Sequence, residues 1–273
     1  MSKLIVYLNR MLPNWLRNLK IFKAVKSAVY RDDKPYKEIN VDVKRTYVDY
    51  DVDFKYFGSV NSASRAFERG IENTLLKNVF KLHKNEENDL VALDVGSNFG
   101  YLSMVWSQTL CANGSVFAFE ANPHVFESFS KTKSYNNQDN LNIQNKAVGD
   151  ENGSCELFIS GGTSNTIASE TSPEAKSVVV DMISLDGDET LMNLSKIDFI
   201  KIDVDGIELK ILQGAKQLIK KFSPLIIVET NDNIEIIRFF QSMDYSIFDM
   251  DLKPYKTGDK LPVNIFCKPI GSI

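Results

Sequence analysis

The chain has 273 residues, of which 43% are hydrophobic and 25% are charged, and its formal net charge is −4. This composition is typical of a folded globular protein and excludes an intrinsically disordered chain. No apolar run approaches the roughly 20 residues that a membrane-spanning helix needs, and Asn9 and Arg10 interrupt the apolar start of the chain, so we expect neither a transmembrane helix nor a cleaved signal peptide.

The first 31 residues predict a basic amphipathic helix, because they contain seven basic side chains and no acidic one. Apolar residues at helical spacing form one face of this helix: Leu12, Trp15, Leu19, Phe22, Val25 and Val29. We favour packing of this face on the main domain or on a second copy of the chain in a homodimer. A peripheral contact of residues 1–31 with a membrane or another partner stays open. Nucleic acid is not an expected partner, because from residue 61 onward the chain has 29 acidic and 20 basic side chains and would repel phosphates.

The segment "TYVDYDVDFKYF" alternates between apolar and charged residues. Its apolar face consists of Val48, Tyr50, Val52, Phe54 and Tyr56. A period of two predicts a half-exposed strand, which we pair with the "INVDV" segment before it. Residues 62–82 predict a helix. We therefore divide the chain into an N-terminal extension of helix and strands, residues 1–60, and a main domain, residues 61–273.

Short apolar strands and helical stretches alternate along the main domain. The strands are "LVALDV", "SVFAFE", "LNIQNKAV", "DFIKID" and "PLIIVE", and this rhythm is typical of a doubly wound, mostly parallel α/β sheet. The segment between the third and fourth strands has strand-like ends around a polar middle and predicts an inserted hairpin. Near the carboxyl terminus, "YSIFDM" and "VNIFCK" follow each other without a helix, which predicts an antiparallel pair at the sheet edge and a total of seven strands.

The stretch "LDVGSNFGYLSM" predicts a ligand-binding turn between a strand and a helix. Its glycines allow the backbone to approach a ligand, and the helix that follows offers free N–H groups. The candidate cofactor-binding residues in this turn are Asp94, Gly96, Ser97, Asn98 and Gly100. Glu120 ends the next strand, where its carboxylate could accept both hydroxyls of a ribose.

The composition of this turn also bears on which nucleoside it binds. The turn lacks one glycine of the dinucleotide fingerprint and adds Asp94 at the strand end. An acid there suits a cofactor that carries an amino acid and a cation rather than a pyrophosphate. Together with the antiparallel carboxy-terminal pair, this favours S-adenosylmethionine over a nicotinamide dinucleotide.

The stretch "KIDFIKIDVDGIELKIL" places charges inside and after a buried strand. Lys201 and Asp203 share one face of that strand, and Asp203 lies beyond its carboxyl end, where open parallel sheets bind ligands. Glu208 is either the carboxylate of a capping box that begins at Asp205 or a group that points into the site. We take Asp203, Glu208 and Lys201 as candidate catalytic residues. Glu229 ends the next strand, "PLIIVE". If that strand lies beside the one before Asp203, the two carboxylates are neighbours and could bind a magnesium ion.

On these motifs the sequence resembles the FkbM family of S-adenosylmethionine-dependent methyltransferases, which have the class I, Rossmann-like fold. The matching stretches, within roughly residues 69–249, are "LDVGSNFGYLS", "FAFEANPHVFESF", "NKAVGDENGSCELF", "SLDG", "IDFIKIDVDGIELKILQGA" and "PLIIVE". The resemblance implies that the glycine-rich turn surrounds the methionine moiety, that Glu120 binds the ribose, and that Ala147 and Val148 lie at the adenine edge. It also implies that Asp203 faces the transferring methyl group, and that the acceptor is a hydroxyl of a sugar, glycan or small molecule.

Two other functions stay open at this point. A nicotinamide-dependent oxidoreductase would bind a dinucleotide and would lack the antiparallel end of the sheet. A non-catalytic module would keep the cofactor pocket and use the basic helix to contact a membrane or an enzyme partner.

The cysteines bear on the cellular compartment. Cys111, Cys155 and Cys267 are scattered and lack metal-ligand spacing, as expected of small core residues in a reducing environment. The sequence therefore predicts a cytoplasmic protein.

Overall fold

The computed structural model describes residues 3–4, 6–7, 12–13, 16, 36–84, 87–160, 164–166, 176–204 and 206–271. Most of the predicted basic helix lies outside these residues. Near the amino terminus, Val6 is fully buried in the core of the protein, and the ring of Tyr7 lies 4.5 Å from that of Phe67. The start of the chain thus packs on its own domain, whereas the homodimer and membrane contacts of residues 1–31 stay predictions.

The first two strands form an antiparallel hairpin, β1 (Glu38–Tyr47) and β2 (Tyr50–Ser59). The predicted pairing of "INVDV" with the following strand is confirmed. Val48 does not join the apolar face, because it lies in the two-residue turn with φ of 55° and is half exposed. The buried face of β2 consists of Val52, Phe54 and Tyr56.

Two helices take the place of the single helix predicted over residues 62–82. They are α1 (Val60–Glu68) and α2 (Asn73–Leu82). Gly70 separates them with φ of 82°, a left-handed conformation that favours glycine and ends a helix. A Cβ atom at Gly70 would lie 2.7 Å from the hydroxyl of Tyr47, so the hairpin leaves no room for a side chain at this break.

The remaining elements alternate between strand and helix over most of their length. In chain order they are β3 (Val91–Val95), α3 (Tyr101–Gln108), β4 (Ser115–Phe119), α4 (Pro123–Tyr135), β5 (Leu141–Gln144), β6 (Ala147–Gly149), β7 (Gly153–Ser160), β8 (Ser164–Thr166), β9 (Lys176–Ser184), α5 (Glu189–Met192), β10 (Phe199–Ile202), α6 (Glu208–Gln213), α7 (Lys216–Phe222), β11 (Leu225–Glu229), α8 (Ile234–Ser242), β12 (Tyr245–Phe248) and β13 (Asn264–Pro269).

Seven strands form the main sheet in the order β12-β13-β11-β10-β3-β4-β5. Strands β11, β10, β3, β4 and β5 are parallel, whereas β13 is antiparallel to both β11 and β12. The predicted fold class, a mostly parallel seven-stranded α/β sheet with an antiparallel carboxy-terminal pair, is confirmed. The carboxyl ends of β10, β3 and β4 meet at one edge of the sheet, which is where ligands bind in open α/β folds.

The predicted third strand, "LNIQNKAV", is divided between two sheets. Its first half is β5, in the main sheet, and its second half is β6, in a four-stranded sheet of order β6-β9-β7-β8. Asn145 lies at the division, and its Nδ2 donates hydrogen bonds to the carbonyls of Glu120 at 2.8 Å and Ala121 at 3.0 Å. The inserted hairpin is confirmed as the antiparallel pair of β7 and β9, and most of its tip lies outside the described residues.

Two hydrophobic cores cover the two faces of the main sheet. Side chains alternate along β3, so that Ala92 belongs to one core and Leu93 and Val95 belong to the other. The first core also contains the hairpin and helices α1 to α3, and the second contains helices α6 to α8. The predicted extension therefore packs directly onto the main domain, while the division of the chain at residue 60 stays a prediction.

All three cysteines are free thiols; Cys111 and Cys267 are buried and Cys155 is half-buried. They are the small packing residues that their scattered positions predicted. Over the residues whose structure is described, no helix combines the length and the apolarity that crossing a membrane requires.

Candidate active site

A cavity of about 350 Å³ opens at the carboxyl edge of the main sheet. Eight of the residues singled out from the sequence line it: Gly96, Ser97, Asn98, Glu120, Ala147, Val148, Lys201 and Asp203. Four others are outside its lining: Asp94, Gly100, Glu208 and Glu229. The fold thus brings most of the predicted cofactor residues into one cavity, whereas Asp94, Gly100, Glu208 and Glu229 do not line it.

The turn between β3 and α3 lies close to both neighbouring strands. The backbone N–H groups of Gly96 and Ser97 each donate to the carbonyl of Phe119 at 3.0 Å, which ties the turn to the end of β4. Gly96 has φ of 75°, and a Cβ atom there would lie 2.1 Å from the carbonyl oxygen of Asp203. Only glycine allows this approach of the β3 turn to the end of β10.

Gly100 is not in the lining of the cavity, and the packing of helices accounts for its glycine. It is the N-cap residue of α3 with φ of 77°, and a Cβ atom there would lie 2.0 Å from the ring of Phe129 on α4. The glycine is therefore required by the packing of α3 against α4, and its contribution to the cavity is to allow that packing.

Glu120 is buried in the wall at the end of β4. Its Oε2 accepts a hydrogen bond from the backbone N–H of Asn98, and its Oε1 accepts one from that of Asn122, both at 2.8 Å. Burial raises the pKa of Glu120 to about 7, although the two N–H groups favour the charged form. An ionised carboxylate has about four acceptor positions, so two remain for ligand hydroxyls.

Lys201, the lysine inside the buried strand β10, is held as a cation. Its Nζ donates to the carbonyl of Gly96 at 2.9 Å and lies 3.3 Å from Asp203 Oδ2 and 3.5 Å from Asp94 Oδ1. Burial lowers the pKa of Lys201, but the two carboxylates outweigh it, so that the pKa lies above its ordinary value. A lysine in this state is no proton acceptor, and its effect on the site is electrostatic and positional.

Asp94 lies behind Lys201 rather than at the cavity surface. It is fully buried, and the hydroxyl of Ser103 donates to its Oδ2 at 2.5 Å. Burial raises the pKa of Asp94, while Lys201 and Ser103 oppose that rise. Asp94 is thus placed to act on the cavity through Lys201, and the contact with the methionine moiety implied by the family resemblance stays a prediction.

Asp203 presents its carboxylate to the cavity immediately after β10. Its side chain is 46% exposed, and the charge of Lys201 holds the pKa of this carboxyl below its usual range, against the opposing effect of burial. Glu229 ends the adjacent strand β11, and its carboxyl is hydrogen-bonded to Asp203. The two side chains are neighbours, as predicted from adjacent strand ends.

The surroundings of Asp203 give the predicted magnesium ion no support. A magnesium ion in a protein is usually held by one or two carboxylates and several waters, and within the described part of the chain no group of three acidic, histidine or cysteine side chains is placed to hold a metal. The ammonium of Lys201 already lies 3.3 Å from Asp203 and supplies the positive charge that a metal would bring.

Glu208 holds the loop that follows β10. It is almost fully buried, and its Oε1 accepts hydrogen bonds from the N–H groups of Val204 and Gly206 at 3.3 Å and from Asn231 Nδ2 at 2.8 Å. Burial raises the pKa of Glu208. Helix α6 begins at Glu208 itself, so this carboxylate is not in the third helical position that a capping box requires. Asp205, the predicted cap, lies outside the described residues.

One wall of the cavity comes from residues that sequence reasoning did not predict. It consists of Tyr56 and Ser59 at the end of β2, Asn61, Ser62 and Arg65 on α1, and Ile71 and Glu72 before α2. The alternation of β2 did place Tyr56 on a buried face, but nothing local to the sequence indicates that this face closes a cavity formed by strands further along the chain.

Apolar residues of the inserted sheet also line the cavity. Ala147 and Val148 of β6 are buried in the lining, as are Leu157 of β7 and Phe119 of β4, and Lys146 lines the cavity directly before Ala147. These residues form the predicted adenine edge.

Comparison with known families identifies one match. The family described as "Methyltransferase FkbM domain" matches residues 94–247, which is more than half of the 273 residues. No curated protein matches the sequence.

Several solved structures have a loosely similar fold. They include methyltransferase FkbM from Methylobacillus flagellatus KT (15% identity, TM-score 0.45, covering 66% of this chain and 44% of that one), precorrin-6y C5,15-methyltransferase from Geobacter metallireducens GS-15 (14% identity, TM-score 0.41, covering 73% and 89%), and Pyrococcus abyssi tRNA (uracil-54, C5)-methyltransferase in complex with S-adenosyl-L-homocysteine (15% identity, TM-score 0.42, covering 83% and 44%). The present chain spans less than half of the first and third of these. At these TM-scores the family assignment rests on the sequence match alone.

Proposed function

This chain belongs to the FkbM methyltransferase domain family, and from this premise we propose that it transfers a methyl group from S-adenosylmethionine to a hydroxyl oxygen of a sugar, glycan or small-molecule acceptor. Family membership makes the chain a methyltransferase; the cofactor and the hydroxyl acceptor are the proposal. One observation carries the proposal: the same cavity is lined by two carboxylates. Glu120 is buried and can accept further hydrogen bonds, and Asp203 is charged and open to a substrate.

The charges around the cavity suit this cofactor. S-adenosylmethionine carries a sulfonium, an ammonium and a carboxylate group, and the carboxylates of Glu120 and Asp203 in the lining could face its cationic groups. Glu120 would accept hydrogen bonds from the ribose hydroxyls, and the buried apolar residues Ala147 and Val148 would contact the adenine. The backbone of the turn at Gly96 would lie along the methionine moiety.

The transfer itself is one displacement at the methyl carbon. The carbon–sulfur bond breaks while the acceptor oxygen forms its bond to carbon, so holding the oxygen in line with that bond supplies much of the acceleration. The oxygen loses its proton as it becomes positively charged during attack. Asp203 is the charged carboxylate at the cavity surface and would accept this proton.

The two competing functions have less support. A nicotinamide-dependent oxidoreductase is disfavoured by the antiparallel β13, which lies between β11 and β12, and by the missing glycine in the β3 turn. A non-catalytic module is an outcome that the experiment below would reveal.

Calorimetric titration of the purified chain with S-adenosylmethionine tests the cofactor, with NAD and the Glu120→Ala variant as controls. We expect S-adenosylmethionine to bind and NAD not to bind, and we expect Glu120→Ala to weaken binding at least tenfold, because the variant loses a charge-assisted hydrogen bond to the ribose. Binding of NAD in its place would refute the proposal.

Catalysis is tested separately with an acceptor found by screening sugars and small alcohols. Asp203→Asn should lower kcat at least a hundredfold, as expected for loss of a general base, and should leave the cofactor bound. An unchanged kcat would remove Asp203 from the mechanism, and a protein that binds the cofactor but methylates nothing would be the non-catalytic module.

The three free cysteines support the proposal of a cytoplasmic protein. Its partners are proposed to be a small-molecule or glycan acceptor and, through residues 1–31, a second copy of the chain or a membrane surface. Nucleic acid is not proposed as a partner.

A further inference from the structure

We propose that Arg65 on α1 binds an anionic group of the acceptor, so that the substrate is a hydroxyl compound bearing a carboxylate or a phosphate. The inference rests on the proposed function, because it names the class of acceptor for the same cavity. It concerns the wall formed by the end of β2 and by α1, which lies outside the matched family region of residues 94–247.

The face of α1 that lines the cavity is polar. Asn61, Ser62 and Arg65 follow the three- and four-residue spacing of one helical face. The buried residues of α1 are Val60, Ala63, Ser64, Ala66 and Phe67. The helix thus divides cleanly between a core side and a cavity side, and the guanidinium belongs to the cavity side.

Helix α1 is held firmly at both ends. At its start, the hydroxyl of Ser59 accepts the N–H of Ser62 at 3.2 Å, and the hydroxyls of Tyr56 and Ser62 are 2.7 Å apart. At its end, Arg45 of β1 donates from Nη2 to the carbonyls of Ala66 and Phe67 at 3.2 Å and 2.9 Å. The backbone that carries Arg65 is therefore fixed in advance, which lowers the entropy lost when the helix binds a ligand.

Arg65 has no counter-ion among the described residues. No carboxylate of that part of the chain forms an ion pair with its guanidinium, and the residue is exposed where it lines the cavity. Lys201, which also lines the cavity, is already paired with Asp94 and Asp203. A guanidinium with five donors in a fixed fork is suited to two-point binding of a carboxylate or phosphate.

The anion belongs to the acceptor and not to the cofactor. The cofactor has an anion of its own, the carboxylate of its methionine moiety, but in the proposed placement that moiety lies along the turn at Gly96 and the ribose lies at Glu120. An acceptor that places its hydroxyl at Asp203 is left with the wall formed by α1, where Arg65 can bind a negative group on the same molecule. Glu72 also lines this side of the cavity and would repel an anion, so that group must contact the guanidinium of Arg65 directly.

Ligand-observed NMR titration of the full chain tests this, with D-glucuronate, glucose 6-phosphate and glucose as probes, in the presence and absence of S-adenosylhomocysteine. We expect at least one anionic sugar to bind and glucose to bind at least tenfold more weakly, because a hydrogen bond to a charged group is worth more than a neutral one. The stronger of the two anions identifies carboxylate or phosphate as the recognised group.

Arg65→Met should weaken binding of the anionic sugar at least tenfold. The matched control is Arg69→Met, which removes an exposed arginine one turn later that does not line the cavity, and it should bind the probe like the unmodified chain. Equal binding of glucose and the anionic sugars, full binding by Arg65→Met, or an equal loss in Arg69→Met would each overturn the proposal.

Titration of the same samples with S-adenosylmethionine separates this inference from the proposed function. Arg65→Met should bind the cofactor as tightly as the unmodified chain does. If the chain binds anionic sugars through Arg65 but no S-adenosylmethionine, the proposed function fails and the Arg65 site stands. If it binds S-adenosylmethionine but shows no preference for anions, the Arg65 inference alone fails.

Discussion

Glu120 combines burial with two short backbone hydrogen bonds, and the outcome is a pKa of about 7 in place of 4.5. The carboxyl is therefore protonated below about pH 7 and ionised above it. For the protein without ligand, a raised pKa means that stability contributed by the neutral form is present below pH 4.5 and is lost as the pH rises to about 7. Binding of ribose hydroxyls favours the opposite, ionised form.

We predict that affinity for S-adenosylmethionine falls about tenfold from pH 8 to pH 6, because the ionised fraction of a group with a pKa of about 7 falls by that factor. Glu120→Gln should bind more weakly and should lose the pH dependence. Calorimetric titration at pH 6, 7 and 8 measures both effects. Glu156→Gln, on the exposed side of β7, should keep the pH dependence; a profile that persists in Glu120→Gln would assign it to another group.

Gly96 and Gly258 illustrate two reasons why a position requires glycine, a positive φ and a lack of space for a Cβ atom. Both have positive φ, of 75° and 100°, but a Cβ atom at Gly96 would meet the Asp203 carbonyl at 2.1 Å, whereas at Gly258 there is open space. We predict that Gly258→Ala lowers the free energy of unfolding by about 1 to 2 kcal/mol, from backbone strain alone. Gly96→Ala should lower the free energy of unfolding clearly more, because the end of β10 must also move to make room for the Cβ atom.

Urea denaturation of the two glycine variants, followed by tryptophan fluorescence, gives the comparison. Equal losses in the two proteins would show that the close approach of the β3 turn to β10 contributes nothing to stability.

Among the elements, β3 and β10 are joined by more than their ladder of backbone hydrogen bonds. Lys201 of β10 reaches Asp94 of β3 and the carbonyl of Gly96 in the turn that follows. A charge in the middle of a buried strand is thereby explained: the lysine neutralises two carboxylates and fixes the turn that lines the cavity. Removing one member leaves a buried charge without compensation.

We predict that Lys201→Met destabilises the protein by about 3 to 5 kcal/mol, the usual effect of breaking a buried ion pair from one side. The double variant Lys201→Met with Asp94→Asn should recover part of this loss, since the remaining buried charge is removed. Lys196→Met removes a partly exposed ion pair with Asp89 and should change stability by about 1 kcal/mol or less.

Urea denaturation measures all three of these proteins. Failure of the double variant to regain any stability would mean that Lys201 acts by packing rather than by charge.

For the whole molecule, the hairpin β1–β2 and the main sheet share one hydrophobic core, and the cavity lies between them. Phe54 of β2 packs at 5.6 Å from the ring of Tyr101 on α3, and the hydroxyls of Tyr47 and Tyr101 are 2.6 Å apart. The wall that carries Arg65 is therefore part of the folded unit that carries the predicted cofactor residues.

We predict that Phe54→Ala lowers the free energy of unfolding by about 3 to 5 kcal/mol, as is usual for a large residue removed from a core. Unfolding should stay a single transition, seen by fluorescence of Trp106, which is buried on α3. Val179→Ala, at an exposed position, should change stability by less than about 0.5 kcal/mol. Two separate transitions in the unmodified chain would instead support residues 1–60 as an independent unit.

The sequence by itself determined the sheet, the β3 turn, Glu120 and Asp203, because these depend on local properties: apolar period, glycine at positive φ, and acids at strand ends. Three further features were decided only by tertiary structure. The break after β5 depends on Asn145 reaching two carbonyls of another strand. The burial of Asp94 behind Lys201 depends on how two strands pair, and the α1 wall with Arg65 depends on a hairpin that folds back over strands distant in the chain. Contacts between distant residues leave no local pattern, and for that reason the part of the cavity formed at the ends of β3, β4 and β10 could be predicted whereas the wall formed by β2 and α1 could not.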